Sequence, residues 1–385
     1  MESIIAFEDF LKTYLFKTQE RTKLYLKVMK LRNKYDYGSK KMAKMLDISR
    51  HKIEGWIYQK NVPKNIKAIE QLEKLGLKLP LYVSKSKKFI LFIKIFSFSF
   101  GDGGISKNFR VYLTGNKTDL EDLKKEINFI FGLECRINKI KSENNYIGNR
   151  LVKGESFSLD IQGEGSYALG RALCAAGAPI GEKSSSQFLI PKWVEKGPKW
   201  VKKLFLEVLL GNEIQTPKLD NYGCHFGHIQ FRMSKIKKYS KYNKKLLNQI
   251  ISLLKEFGIK TSEVKLDKQR SERKDKNISQ PMYFQINRNK LNVYNFYKKF
   301  ELLYAKEKQY AFECAAYAVR KSLHSELLKI HQYEKTKKLR RRGLGCRKIA
   351  KILDIPEKRS MVDGWLNSQQ PIYLNKKEEL KKILK

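Results

Sequence analysis

The residue that first asks for a chemical role is Asp102, which stands between two glycines at the end of the segment IFSFSFGDGGIS. A later segment, LFLEVLLGNEIQ, reads as its counterpart, and equating the two pairs Asp102 with Glu213, Gly101 with Asn212 and Ser97 with Val208. Two carboxylates brought side by side repel one another. The natural remedy is Mg²⁺ or another hard divalent cation, which prefers carboxylates, water and phosphate oxygens. The cluster CHFGH also puts Cys224, His225 and His228 close together. Two well-spaced ligand pairs are missing there, so those residues read as the entry to a strand rather than a zinc site.

Composition indicates what such a site would face. The 385 residues hold 80 Lys plus Arg against 39 Asp plus Glu, a formal net charge of +41. That excess attracts polyanions and releases their counterions on contact, which makes nucleic acid the leading partner. With 42% hydrophobic residues the chain can bury the cores of two or three domains. The longest apolar run, Phe89 to Phe100, is too short to span a bilayer and contains Lys94. The opening MESIIAFEDF carries acidic residues where a secretory signal needs basic ones. A soluble, cytoplasmic, nucleoid-associated protein with no membrane partner is expected. Cysteines at 135, 174, 224, 314 and 346 are scattered and odd in number, which argues against a disulfide framework.

Two segments near the ends repeat one another: YGSKKMAKMLDISRHKIEGWIYQKNVP and LGCRKIAKILDIPEKRSMVDGWLNSQQP. Each has a basic pair, an alanine (Ala43 or Ala350), the tripeptide Leu-Asp-Ile and a closing Gly-Trp. The spacing predicts short amphipathic helices over Lys40 to Leu46 and Arg347 to Leu353, each followed by a turn and a second helix. Ser49 is placed to cap one second helix with its hydroxyl, and Pro356 suits the first position of the other. Each segment resembles a helix-turn-helix. On that resemblance Arg50, His51 and Lys52, and Glu357, Lys358, Arg359 and Ser360, would face bases or phosphates.

Between the ends, two stretches echo one another as strand, loop, amphipathic helix ending in Phe-Gly, and strand. Alternation sets Asn108, Arg110 and Tyr112 opposite Phe109, Val111 and Leu113, and sets Gln230, Arg232 and Ser234 opposite Ile229, Phe231 and Met233. A third pair of strands puts Ser158, Asp160 and Gln162 on one polar face and Tyr283, Gln285 and Asn287 on another. Such rows suit hydrogen bonding to base edges and phosphates.

Taken in order, FSFSFGDGGIS, the connection LCAAGAPIGEKSSSQFLIPKWVEKGPKWVKKLFLEVLLG and FLEVLLGNEIQ resemble the single-chain, two-repeat LAGLIDADG homing endonucleases, over roughly residues 88–324. The resemblance implies an α+β fold of two pseudo-symmetric αββαββα repeats, packed through their signature helices, with two saddle-shaped antiparallel sheets gripping double-stranded DNA. On this view FSFSF is a helix whose Ser97 and Ser99 admit a partner helix, and its strand-like alternation misleads. A carboxylate at a helix carboxyl end is disfavoured by the dipole, which adds to the demand for a cation. The resemblance gives Asp102 and Glu213 the metal role in a staggered double-strand cut by phosphodiester hydrolysis. It gives Lys183 in GEKSSS, and Lys308 or its neighbour Lys306 in YAKEKQY, the role of orienting water or stabilising charge.

The second signature helix departs from that pattern at Val208, Gly211 and Asn212. The function expected is a site-specific, homing-type DNA endonuclease acting as a monomer with internal pseudo-two-fold symmetry. Its domains would be helix-turn-helix units at 1–80 and 330–385 and repeats at 88–200 and 201–325. Linkers are expected near Leu81 to Lys88 and His324 to Lys335, with a mobile loop at LDKQRSERKDKNISQ. The alternatives are a cleavage-deficient transcriptional regulator on the same scaffold and an RNA-splicing maturase that binds structured RNA. Protein splicing is not expected, since Met1 and the terminal KKILK supply neither the nucleophile nor the His-Asn pair it requires.

Overall fold

A computed structural model describes residues 3–140, 145–147, 150–152, 155–217, 229–268, 271–273 and 276–384. Five helices come first: α1 (Phe7–Lys12), α2 (Phe16–Tyr35), α3 (Ser39–Leu46), α4 (Arg50–Ile57) and α5 (Lys64–Lys74). Helices α2 to α4 enclose a small core of their own around Tyr25, Val28, Met42, Ile53 and Trp56. The turn between α3 and α4 pivots on Asp47 at φ 50°, in the left-handed region that aspartate tolerates better than most residues. Ser49 occupies the N-cap of α4 but makes no side-chain cap bond. Its carbonyl accepts from the amides of Lys52 and Ile53 instead, so the expected hydroxyl cap is not formed.

The first central half begins with α6 (Lys87–Phe98), capped by the Ser86 side chain, which accepts from the Phe89 amide. The segment is helical although FSFSF alternates. Phe89, Phe92, Phe96 and Phe100 recur at spacings of three and four and stack in succession, with ring centroids 6.1, 6.5 and 5.1 Å apart. There follow β1 (Gly103–Ile105), β2 (Val111–Gly115), α7 (Lys117–Phe131), β3 (Cys135–Ile140), β4 (Asn145–Ile147), β5 (Arg150–Val152), β6 (Ser156–Ile161) and α8 (Gly163–Ala175). The sheet runs β1-β2-β6-β3, antiparallel throughout, while β4 and β5 pair separately.

In the second half α9 (Lys192–Glu195) leads into α10 (Lys199–Glu213), then β7 (Gln230–Ile236), α11 (Ser240–Glu256), β8 (Lys265–Leu266), β9 (Ser271–Glu272), β10 (Ile278–Gln285) and α12 (Lys290–Lys299). Strands β7, β8 and β9 all pair antiparallel with β10. The stretch expected to be a mobile loop, 266–280, is thus paired in part: Leu266 at the end of β8 pairs with Met282, and Ser271 and Glu272 of β9 pair with Ser279 and Ile278 at the start of β10.

The chain closes with α13 (Lys306–Arg341), α14 (Cys346–Ile352), α15 (Arg359–Leu366) and α16 (Lys377–Leu384). The expected linker at His324 to Lys335 is instead the middle of the 36-residue α13. No Gly or Pro interrupts that helix, and Leu323, Ile330 and Tyr333 on it are buried. The two end units share a construction: Trp56 meets Tyr25 edge-on at 5.7 Å, and Trp365 meets Tyr333 edge-on at 6.0 Å. Asp354 has φ 56°, matching Asp47, so the repeated Leu-Asp-Ile is the turn itself. Among the described residues no helix is long and apolar enough to cross a membrane.

The halves meet along α6 and α10, inside one continuous core. Ser97, fully buried, donates its hydroxyl to the Phe205 carbonyl at 2.6 Å, so the small residue both admits the partner helix and bonds to it. Phe205 packs on Phe96 and Phe100 at 6.2 and 5.4 Å. Gly211 on α10 passes so near the chain before α13 that a Cβ would lie 2.6 Å from the Leu303 carbonyl oxygen. Gly211→Ala should therefore lose about 1–3 kcal/mol of stability to steric strain, although alanine in an open helix position gains up to ~1 kcal/mol over glycine. A urea midpoint that stays level or rises in this variant would show that the Leu303 contact does not constrain the helix.

Candidate functional site at the ends of the paired helices

Glu213 is the last residue of α10, and Asp102 lies just beyond the end of α6. The end of α10 and the turn that follows α6 are each met by a lysine from a distant segment, while the last carbonyls of α6 itself accept from the amides of Ser99, Phe100 and Gly101. Lys183, which opens a short 3₁₀ turn after α8, donates to the carbonyls of Gly101 and of Gly103, the latter at 2.6 Å. Lys308, in the first turn of α13, donates to the carbonyls of Gly211 at 2.8 Å and Asn212 at 2.5 Å. Unsatisfied carbonyls give a helix end partial negative charge, and an ammonium group there offsets it. That compensation lets two carboxylates stand where the helix dipoles oppose them.

The four charged groups act on one another. Burial, and then the neighbouring Asp102, push the Glu213 carboxyl up to about 8, against the pull of Lys183 and Lys308. Burial raises Asp102 as well, while Lys308 and Lys183 draw it back. The two lysines are held below the ordinary ammonium value by burial, and the carboxylates partly restore them. A pocket of about 390 Å³ opens beside Asp102 and Lys308, lined also by Thr114, Asn116, Asp119 and Asn212, while Glu213 and Lys183 lie behind its wall. The amide nitrogen of Asn212 is buried without a hydrogen-bond partner among the described residues.

This donor set suits a hard cation. Asp102 and Glu213 supply carboxylate oxygens, and among the described residues no group of three or more His, Cys, Asp and Glu could hold a metal unaided. An ion there would complete its shell with water or phosphate oxygens, as Mg²⁺ does. Of the two candidate lysines Lys308 reaches the helix end. Lys306 does not: its amide donates to Asp119 at 3.1 Å and its ammonium pairs with Asp122 at the surface.

The expected groove-facing residues fare unevenly. Asn108 lies in the turn between β1 and β2, and Arg110 precedes β2, so neither is a strand residue. Phe109, at φ 61°, breaks the alternation between them, and its carbonyl lies where a Cβ on Gly170 would be. Arg110 donates to the Tyr167 hydroxyl at 2.8 Å, and the Tyr112 ring lies over Gly104. Gln230 and Gln285 are direct cross-strand partners, as are Arg232 and Tyr283. Arg232 is also tied to Asp267 at 2.8 Å. Ser234 is exposed opposite Pro281, and the Asn287 side chain accepts from the Asn289 amide before α12. Arg50, His51 and Lys52 are exposed at the start of α4, and Glu357, Lys358, Arg359 and Ser360 are exposed around the start of α15. Cys224, His225 and His228 lie outside the described residues.

One residue near the site escaped the sequence reading. Lys235 on β7 is buried, donates to the carbonyls of Lys183 and Ser186 at 3.0 and 2.7 Å, and lies 3.7 Å over the Phe188 ring. Burial, with Lys183 nearby, lowers it to about 8. The signal was present, since alternation continues the apolar row of Phe231 and Met233 to Lys235.

No family model matches the chain. It is 32% identical over 200 residues to DNA-directed RNA polymerase subunit Rpo1N of Methanocaldococcus jannaschii, a match covering 50% of this chain and 14% of that protein. It is 24% identical over 258 residues to the replication factor C small subunit of the same organism, covering 63% and 13%. It is 28% identical over 175 residues to the tRNA-splicing ligase RtcB of Methanopyrus kandleri, covering 44% and 17%. The chain therefore spans less than a fifth of each of these relatives.

These relatives correct the expected identity. Their names are those of a polymerase subunit, a replication factor subunit and an RNA ligase, and none is a LAGLIDADG homing endonuclease. The homing-endonuclease reading and its staggered cut are withdrawn, and no name favours the regulator or the maturase. The features that carried the resemblance, small residues on a phenylalanine-rich helix ending in an acid, are ones that close helix packing can impose by itself.

The electrostatics make a stability prediction. Glu213 keeps its proton in the folded protein to about 8 but loses it near 4.5 when unfolded, so its contribution to stability is full below the lower value and falls as pH rises through the upper one. Glu213→Gln should remove that part of the pH dependence. Denaturant midpoints measured from about pH 4 to about pH 9 should show the variant gaining on the wild type as pH rises. Parallel curves would mean that Glu213 ionises normally in the fold.

Proposed function

We propose that this chain is a nucleic-acid-binding protein that grips double-stranded DNA as a monomer, with a divalent cation held between Asp102 and Glu213 against a backbone phosphate. The observation that carries this reading is the pair of lysines bonded to the carbonyls beside Asp102 and Glu213, with Asp102 and Lys308 lining a pocket, in a chain of net charge +41. Carboxylates facing a polyanion weaken its binding unless a cation lies between them. The basic excess supplies the sequence-independent affinity, and the exposed Arg50, His51, Lys52, Lys358 and Arg359 extend the footprint onto both end units.

The relatives support the class of partner. A DNA-directed RNA polymerase subunit, a replication factor subunit and a tRNA-splicing ligase differ in activity, yet their names share nucleic acid as the setting. What they have in common with this chain is 13–18% of their length, a share suited to a binding module rather than to any one of those activities.

Fluorescence anisotropy with a labelled duplex tests both parts. The dissociation constant should weaken steeply with salt, by about 0.9 logarithmic units per phosphate contacted for each tenfold increase. Arg50→Ala and Arg359→Ala should each flatten that slope by about one contact. Mg²⁺ or Mn²⁺ at matched ionic strength should tighten binding by the wild type. An Asp102→Asn, Glu213→Gln double variant should lose that response and bind more tightly in EDTA. Binding that ignores salt would sink the nucleic-acid reading, and an equal cation response in both proteins would sink the cation site.

A further inference from the structure

We infer that each half of the molecule positions the lysine contributed by the other, through Lys235 on one side and the Asp119, Asp122 and Glu126 side chains of α7 on the other. Residues 182–186 follow the first half in sequence, yet their fixings come from the second. Lys235 of β7 gathers the carbonyls of Lys183 and Ser186, at 3.0 and 2.7 Å. Arg273, between β9 and β10, donates to the Ser184 hydroxyl at 2.5 Å and pairs with Glu182.

The opposite arrangement holds residues 304–308, which follow the second half. Glu126 of α7 accepts from the Tyr304 hydroxyl and pairs with Lys94 of α6 at 2.6 Å. Asp119 accepts the Lys306 amide at 3.1 Å, and Asp122 pairs with the Lys306 ammonium. Tyr304 has φ 56°, a costly conformation for a bulky side chain that the surrounding bonds must maintain. The clamps also have opposite chemistry: cations hold the carbonyls and hydroxyl of one loop, and carboxylates hold the amide, hydroxyl and ammonium of the other. Charge-assisted hydrogen bonds between partly buried groups are the stronger kind, and losing one partner strands the other.

Neither lysine is thus placed by its own half alone, and the site assembles only when the halves are docked. Lys183 and Lys308 touch the carbonyls beside Asp102 and Glu213, whereas Lys235 and Glu126 are positioning residues that act through them.

The test is hydrogen exchange by mass spectrometry on the full chain as wild type, Lys235→Met, Lys235→Arg and Tyr304→Phe, with Mn²⁺ affinity as a second readout. Lys235→Met, altered in the second half, should raise exchange in residues 182–188 about tenfold and leave 303–309 unchanged. Tyr304→Phe, which breaks the bond to α7 of the first half, should do the reverse. Lys235→Met should weaken Mn²⁺ binding about tenfold, and Lys235→Arg, which keeps a donor cation, should restore most of the loss. The Mn²⁺ readout rests on the proposed cation site; the exchange readout does not. A wild type that binds no Mn²⁺ but shows the crossed exchange pattern therefore refutes the cation site and upholds the clamp. Unchanged exchange at 182–188, equal rises in both segments, or arginine that performs no better than methionine would overturn the clamp.

Discussion

Two ammonium groups bonded to backbone carbonyls beside Asp102 and Glu213, one in the turn after α6 and one at the end of α10, are the condition on which the centre of this protein depends. Lys183 bonds the carbonyls of Gly101 and Gly103 on either side of Asp102, and Lys308 bonds those of Gly211 and Asn212 at the end of α10. Without them the carbonyls and the Asp102 carboxylate would concentrate negative charge in partly buried surroundings, a costly arrangement even with Glu213 protonated below about 8. With them, Asp102 and Glu213 can be held close enough for one to raise the proton affinity of the other. The same closeness requires the helix contact at Ser97 and the bare backbone at Gly101, where a Cβ would lie 2.6 Å from the Asn212 side chain, so packing and electrostatics are one constraint.

The rest of the chain is arranged around that centre. One large core runs through both halves, while each end unit closes over a small core of its own beneath a tryptophan. Helix α13 carries Lys308 in its first turn and Tyr333, part of the carboxyl-terminal unit's core, near its other end. An unbroken helix of 36 residues is about 54 Å long, which ties that unit to the site rather than leaving it on a flexible tether.

Legibility from sequence followed the range over which each feature is encoded. Local signals were readable: the Leu-Asp-Ile turns, the closing Gly-Trp pairs, the apolar faces of β7 and β10, and the acidic residues at equivalent places. Asp102 and Glu213 were singled out by equating two segments of the sequence, whereas Lys183 and Lys308 were assigned only by the resemblance, and the choice between Lys306 and Lys308 required the end of α10 in three dimensions. The period of FSFSF misleads locally, since only the longer run from Phe89 to Phe100 reveals helical spacing. Where a linker was expected at His324 to Lys335, burial of Ile330 and Tyr333 continues the helix through it. Lys235 went unnoticed because its partners are carbonyls 49 and 52 residues away, and carbonyls carry no sequence signature. Family identity was least secure, because small residues and a terminal acid reflect what a tight helix pair needs and not ancestry alone.

The most direct measurement is anomalous diffraction at the manganese edge from crystals of the protein with a DNA duplex and Mn²⁺. The proposed arrangement predicts a peak between the Asp102 and Glu213 carboxylates, close to a backbone phosphate, with Lys183 still on the Gly101 and Gly103 carbonyls and Lys308 still on those of Gly211 and Asn212. A bound duplex with no metal peak there, or lysines swung from these carbonyls onto the phosphates, would contradict it.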